Sequence, residues 1–240
     1  MKEENRRKVT AIVLAAGKGS RMGTRIQKQY LELNGRPLLY YALDAFERSP
    51  VDRIILVAGA GEEEYCQKEI VERWGVTKVT AIVTGGRERY HSVYAGLKAA
   101  GPCDDVLIHD GARPCVTVEI IEAAMEGAAR YGACVVGMPV KDTIKITDAD
   151  NDASGTPDRS RLWLVQTPQA FSRELITGAY DKLFENPASQ EGITDDAMVV
   201  ETMTRHKVRL IRGSYENIKV TTPEDMEIAG IFLKKRENNS

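Results

Sequence analysis

No apolar run in this sequence approaches the roughly 18 residues that a membrane-spanning helix needs, so none is expected. The N-terminal Met1-Lys2-Glu3-Glu4-Asn5-Arg6-Arg7-Lys8 is charged, and no long apolar stretch or cleavage site of a secretory signal follows it. The four cysteines, Cys66, Cys103, Cys115 and Cys134, lack Cys-x-x-Cys spacing and lie among apolar or small residues. They read as reduced thiols of a cytoplasmic protein, neither bridges nor ligands. The three histidines, His91, His109 and His206, are scattered, which argues against a zinc cluster. Charge of one sign is not in excess: the formal net charge is -2, and nucleic-acid binding is not expected. No internal repeat, low-complexity segment or linker divides the chain.

What is present suits a large α/β domain. The 240 residues are 42% hydrophobic, enough to bury a substantial core. Short β-branched runs predict strands over 9–14, 53–57, 78–83, 106–109 and 134–138. Amphipathic stretches predict helices over 37–48, 62–74, 88–100 and 117–131. Continuous apolar strands alternating with helices imply a mostly parallel sheet covered on both faces. Ligands of such sheets bind beyond the C-terminal ends of the strands.

The pattern breaks over 140–162. Val140, Ile144 and Ile146 are separated by polar residues, and Asp148-Ala149-Asp150-Asn151-Asp152-Ala153-Ser154-Gly155-Thr156-Pro157 is a turn-rich, acidic tip. The segment reads as a β-hairpin arm that packs on a second subunit, because an isolated two-stranded arm is marginal in water. The alternative is a floppy surface insertion. Beyond it, 208–211 predicts a strand. Thr222-Pro223-Glu224-Asp225 opens a helix, with Thr222 as N-cap, Pro223 in the first position and acids at the positive end. The expected architecture is α/β, a Rossmann-like mostly parallel mixed sheet with helices on both faces and a protruding β-hairpin arm. Residues 1–240 form one domain in this reading.

The loop after the first strand carries the clearest chemistry. It reads Ala15-Ala16-Gly17-Lys18-Gly19-Ser20-Arg21-Met22-Gly23, and 15–30 holds Lys18, Arg21, Arg25 and Lys28 with no acid. Glycines let the backbone approach a ligand, and consecutive amides can cradle an anion. The concentration of positive charge suits a nucleoside triphosphate. A dinucleotide fingerprint fails because Met22 holds the third glycine position and Ala58-Gly59, not an acid, follows the second strand. A Walker P-loop fails because Met22-Gly23-Thr24 lacks the Gly-Lys-Ser/Thr ending. A glycine-rich turn with solvated basic residues stays open on these residues alone.

Leu14 to Met22 followed by Lys28-Gln29-Tyr30 resembles the signature of nucleotidyltransferases that activate sugar and polyol phosphates. More narrowly, the chain resembles the methylerythritol-phosphate cytidylyltransferases. The likeness continues through Gly85-Gly86-Arg87, His109-Asp110-Gly111-Ala112-Arg113-Pro114, Asp142-Thr143-Ile144-Lys145, Thr167-Pro168-Gln169, Thr194-Asp195-Asp196 and Asn217-Ile218-Lys219-Val220-Thr221. Each piece is short, and their order is what carries the resemblance. Gln27 stands where the family usually has proline, and Gly111 where alanine is usual.

The resemblance implies transfer of CMP from CTP to 2-C-methyl-D-erythritol 4-phosphate, with release of pyrophosphate, in isoprenoid precursor synthesis. Such chemistry needs positioning and positive charge more than a covalent nucleophile. The family pattern gives Arg21, Lys28, Arg159 and Lys219 catalytic roles, the first two on the α-phosphate charge and the last two on the polyol phosphate. It gives Ala15, Ala16, Gly17, Gly19, Gly85, Gly86 and Ser92 to the nucleotide. Asp110, Arg113, Thr143, Thr167 and Thr194 fall on the polyol side, with Asp110 also a candidate for Mg²⁺. His109 reads as a packed, structural histidine. A homodimer is implied, with Thr143 reaching the partner's site.

Three rivals share some of these features. Ribitol-5-phosphate cytidylyltransferases tend to carry Ala-Gly-Gly where this chain has Ala15-Ala16-Gly17, and to lack the Thr194-Asp195-Asp196 form. A nucleotide-binding regulator without catalysis would be expected to lose Arg21, Lys28 or Lys219. A glycosyltransferase wants an acidic Asp-x-Asp motif at a strand end, and Asp148-Ala149-Asp150 lies on the arm tip instead.

Overall fold

The computed structural model describes residues 6–17 and 27–238. In chain order its first half contains β1 (Val9–Leu14), a small pair β2 (Glu32–Leu33) and β3 (Arg36–Pro37), α1 (Leu38–Arg48), β4 (Arg53–Ala58), α2 (Glu63–Tyr65), β5 (Val79–Thr84), α3 (Arg89–Ala99) and β6 (Asp105–Asp110). The second half contains α4 (Val118–Tyr131), β7 (Ala133–Pro139), β8 (Ile146–Thr147), β9 (Ala153–Gly155), β10 (Trp163–Ser172), α5 (Arg173–Glu185), α6 (Asp196–Met203), β11 (Arg209–Arg212) and α7 (Pro223–Glu237). Seven strands form one sheet in the order β11-β7-β10-β6-β1-β4-β5. All pairings are parallel except those of β10, which runs antiparallel to both β6 and β7. The expected mixed, mostly parallel α/β sheet is the one observed.

The continuous apolar strands are explained by burial on both faces. Successive side chains alternate sides, so Val13 and Leu107 enter one core with Leu39, Phe46 and Ile121. Their neighbours Ile12 and Ile108 enter the opposite core with Val93, Leu97 and Ile176. A third cluster lies under α7 and joins Leu38, Tyr41, Val220 and Leu233. Helix starts follow the sequence signals. The Thr117 side chain accepts from the Ile120 amide, and Thr222 and Asp225 form a reciprocal capping box with Pro223 in the first turn. At the other end of α4, Gly132 adopts φ 74°, a left-handed stop that favours glycine.

Besides α5, α6 and the small β2–β3 pair, which the sequence did not mark, two elements differ from the sequence expectation. The helix predicted over 62–74 is a single α turn that widens into a π-helical segment, Cys66–Glu72. Strand β10, in the middle of the sheet, was not anticipated. Its sequence carries Gln166, Pro168 and Gln169, residues that read as loop. The ladder to β7 shifts register between Val165 and Gln169, so Pro168 sits where the pairing is interrupted and no strand donor is needed.

The arm is present. β8 pairs antiparallel with β9, and the Val140 amide bonds the Leu162 carbonyl at its base. At the tip, the Asp148 carboxylate accepts from the amides of Asp150 and Asp152. Residues 141–154 are exposed throughout, with Ile146 at 56%, so the hairpin has almost no core of its own. No helix among the described residues is long and apolar enough to cross a membrane. All four cysteines are free thiols.

Candidate active site

The C-terminal ends of β1, β4, β5 and β6 open into a cleft of about 730 Å³. Ala15, Ala16 and Gly17 form one wall, Gly85, Gly86 and Ser92 the adjoining wall, and Lys28, Asp110 and Lys219 also line the space. Gly19 and Arg21 fall outside the described residues. The strand-end location follows from the parallel sheet, whose loops converge where β1 is flanked by β4 and β6.

The two walls meet so closely that Gly85 admits no side chain. A Cβ there would lie 2.3 Å from the Ala16 Cβ and 2.7 Å from the Ser92 Oγ. The Gly85 amide donates to the Ala58 carbonyl, and the Gly86 amide donates to Ser92 Oγ at 3.1 Å. Ser92 therefore fixes the glycine turn as well as facing the cleft. Gly111 is similarly confined: a Cβ would meet Leu39 Cδ1 at 2.7 Å and the Leu14 carbonyl oxygen at 2.9 Å. This accounts locally for glycine where the family usually has alanine.

Asp110 is the electrostatic centre. Its Oδ2 accepts from Lys219 Nζ at 2.8 Å and its Oδ1 from Arg89 Nε at 3.2 Å. Burial by itself would push the Asp110 carboxyl up, but the charges of Arg89, Lys219 and Arg113 outweigh it and hold the group well below the usual carboxylate range. Lys28, in a single 3₁₀ turn Lys28–Tyr30, donates from Nζ to the Val220 carbonyl at 3.0 Å, beside Lys219.

Behind Asp110 runs a second, neutral network. The Asp110 amide donates to Thr167 Oγ1, which contacts His109 Nδ1 at 3.0 Å. The Thr167 hydroxyl has one proton, and it goes to His109 Nδ1. His109 then carries its proton on Nε2 and donates to the Arg113 carbonyl, 3.3 Å away. Burial disfavours the imidazolium more than the adjacent Asp110 favours it, and the His109 pKa drops to about 4. Thr167, 3% exposed, thus supports the site from beneath. Arg113 Nη1 is committed to the Asn217 carbonyl at 2.8 Å.

Arg113 and Thr167 thus stand behind the cleft wall, and three further anticipated residues lie away from it. Arg159 is exposed at the arm base and donates to the Lys141 carbonyl. Thr143 is exposed on the arm, and exposed Thr194 turns its hydroxyl toward Met198 Sδ. Conversely, sequence reasoning missed Arg89 and its partner Asp196. The Arg89 Nη1 and Nη2 grip the two oxygens of Asp196 at 2.9 and 2.8 Å. Asp196 is fully buried and also accepts from Tyr180 Oη at 2.6 Å. The paired acids in Thr194-Asp195-Asp196 were the available signal.

No group of three or more His, Cys, Asp or Glu capable of holding a metal occurs among the described residues. Asp110 is one carboxylate, already facing two cations. Such a donor set does not suffice for an ion held by protein alone. It fits a hard cation that arrives with its own phosphate ligands and adds a single carboxylate.

The sequence model of the family described as IspD, 2-C-methyl-D-erythritol 4-phosphate cytidylyltransferase, matches residues 9–235. The chain belongs to this family. A 2-C-methyl-D-erythritol 4-phosphate cytidylyltransferase of Lachnospira eligens is 53% identical over 226 residues, covering 94% of this chain and 99% of the relative. One from Alkaliphilus oremlandii is 48% identical over 235 residues, covering 97% and 98%. The crystal structure of 4-diphosphocytidyl-2C-methyl-D-erythritol synthase from Anaerococcus prevotii superposes with a TM-score of 0.81 at 34% identity, covering 95% of this chain and 99% of that one. As an IspD-family cytidylyltransferase the chain is a nucleotidyltransferase of the isoprenoid pathway.

Proposed function

We propose that the cleft binds CTP and 2-C-methyl-D-erythritol 4-phosphate together and transfers CMP to the polyol phosphate, releasing pyrophosphate. The backbone of Ala15, Ala16, Gly17 and Gly19 cradles the triphosphate. Gly85 and Gly86 let the backbone of the adjoining wall approach cytosine closely, and Ser92 adds a hydroxyl on that side. Arg21 and Lys28 offset the charge that grows on the α-phosphate and the leaving pyrophosphate. Lys219 and Arg159 hold the polyol phosphate, whose oxygen attacks, so no protein group needs to form a covalent bond. Arg113, Thr143, Thr167 and Thr194 serve the polyol side. Mg²⁺ bound with the triphosphate would withdraw charge from its oxygens, with Asp110 as the protein carboxylate within reach.

The observation that carries this reading is the Asp110–Lys219 ion pair at 2.8 Å within a cleft whose glycine wall packs directly against Ala16 at Gly85. The enzyme works as a cytoplasmic homodimer, without nucleic-acid or membrane partners. The exposed apolar residues Ile144, Ile146, Leu164 and Val165, on the 140–162 arm and the adjoining strand, support an arm that is covered by the second subunit. The test is pyrophosphate release with CTP against a panel of polyol phosphates. Turnover with methylerythritol phosphate is expected. Strong turnover with ribitol 5-phosphate and none with methylerythritol phosphate would overturn the reading.

A further inference from the structure

Lys219 lies on an irregular segment between β11 and α7, and its side chain stays 38% exposed. A flexible lysine there would sample many rotamers, yet phosphate transfer needs its charge at one place. The structure supplies a fixed point, the Asp110 carboxylate, which Arg89 on the same cleft wall ties to the fully buried Asp196 behind it.

We propose that Arg89 is a positioning residue which, anchored by buried Asp196, holds the Asp110 carboxylate in the orientation that aims Lys219 at the polyol phosphate. Three observations converge on this role. The guanidinium is divided between two carboxylates, with both terminal nitrogens on Asp196 and Nε on Asp110. A planar fork held at two points has its third donor direction fixed, which a lysine cannot reproduce. The anchor is itself immobile. The Asp196 carboxylate takes the Tyr180 hydroxyl, and the Asp196 and Ala197 amides both donate to Gln169 Oε1 at 3.0 and 2.9 Å. Gln169 belongs to β10 and pairs with Ile108 of β6, the strand that ends in Asp110. The path from the sheet through Gln169, Asp196 and Arg89 thus returns to the same strand end and closes on the carboxylate. The charges support the geometry: burial opposes a charged Arg89, and Asp196 and Asp110 more than compensate, so it remains a cation.

This role rests on the assignment of Lys219 to the polyol phosphate, and a mutant cycle in the full-length enzyme separates the two. Asp196→Asn and Lys219→Ala are made singly and together. For each, kcat and KM for methylerythritol phosphate, calorimetric CTP affinity and Tm are measured. Asp196→Asn is expected to lower kcat/KM for the polyol phosphate on the order of 10–100-fold, the cost of a misaimed catalytic group. CTP affinity measured without Mg²⁺ should be unchanged, because Asp110 would reach the triphosphate only through the metal. In the Lys219→Ala background the same substitution should add no further kinetic loss while still lowering Tm, a split that a merely structural role would not produce. Should Asp196→Asn prevent folding, Arg89→Lys is read in the same two backgrounds with the same expectations. An undiminished kinetic loss in the Lys219→Ala background overturns the positioning role. A dominant loss of CTP affinity overturns it too, by making Arg89 a nucleotide ligand. If Lys219→Ala alone leaves the KM for methylerythritol phosphate unchanged, the assignment of Lys219 fails first, and the positioning role falls with it.

Discussion

Lys28 Nζ bonds the carbonyl of Val220 at 3.0 Å, across 192 residues of sequence. The contact sets the ammonium of Lys28 next to the segment that carries Lys219, so two cations from opposite ends of the chain line one cleft. Lys28→Ala should lower kcat by about 10²–10³, as loss of a preorganised charge-stabilising donor does elsewhere. The bond to the Val220 carbonyl is charge-assisted, so its loss alone should cost about 1.5–3 kcal/mol of stability. Steady-state kinetics and urea melts on the purified variant check both, and near-normal turnover would remove Lys28 from the catalytic set.

Gly85 is a steric requirement of the cleft. Its absent Cβ would overlap the Ala16 Cβ at 2.3 Å, and both atoms belong to short loops tied to strands. Gly85→Ala must push the walls apart, at a cost of about 1–3 kcal/mol as for other overpacked positions. The expected signature is a raised KM for CTP with a smaller change in the KM for the polyol phosphate. Unaltered CTP binding by calorimetry would mean that the base sits elsewhere.

The fold was readable where one physical cue dominated. Strands β1, β4, β6 and β7 announce themselves because burial on both faces demands unbroken apolar runs, the edge strand β5 does so through its β-branched residues alone, and Thr117 and Thr222 mark helix starts through their own side-chain chemistry. β10 was hidden because its polar residues are satisfied only by the finished structure: Gln169 bonds Asp195 and the α6 amides, and Gln166 bonds Ser214. The candidate site divides the same way. Glycine loops and clustered cations are local features. Arg89 is an ordinary helix-surface arginine until Asp196, 107 residues onward, comes to meet it.

His109 gives a pH signature. Its ordinary value is 6.5, and in the fold it titrates at about 4 because burial resists the charged form. Below 6.5 the unfolded chain gains a proton that the folded chain refuses, so stability falls as pH drops from 6.5 to about 4 and this contribution then levels off. The full effect is about 3 kcal/mol. Asp110 acts in a separate window: its depressed carboxyl contributes stability above its ordinary 3.8, lost only at lower pH. Urea melts from pH 7 to 4 should show the His109 slope in the parent enzyme and its absence in His109→Gln, whatever that variant's absolute stability. An equal slope in both would assign the effect to another group.

The arm yields the last prediction. Thr143 and Arg159 are exposed and do not line their own chain's cleft, while Lys28 does. If the arm of each subunit completes the other's site, Thr143→Ala and Lys28→Ala damage complementary halves. Each homodimer then has two defective sites. A two-fold hybrid has one site that carries both substitutions and one that carries neither, so random mixing restores about a quarter of the sites. Co-refolding the two variants in equal amounts should therefore recover activity well above either alone, and deleting 148–155 should lower both dimer content and turnover. Light scattering and the pyrophosphate assay read the two effects together. A mixture no more active than its components, or a fully active monomer at micromolar concentration, would return Thr143 to its own chain and leave the arm without a role in catalysis.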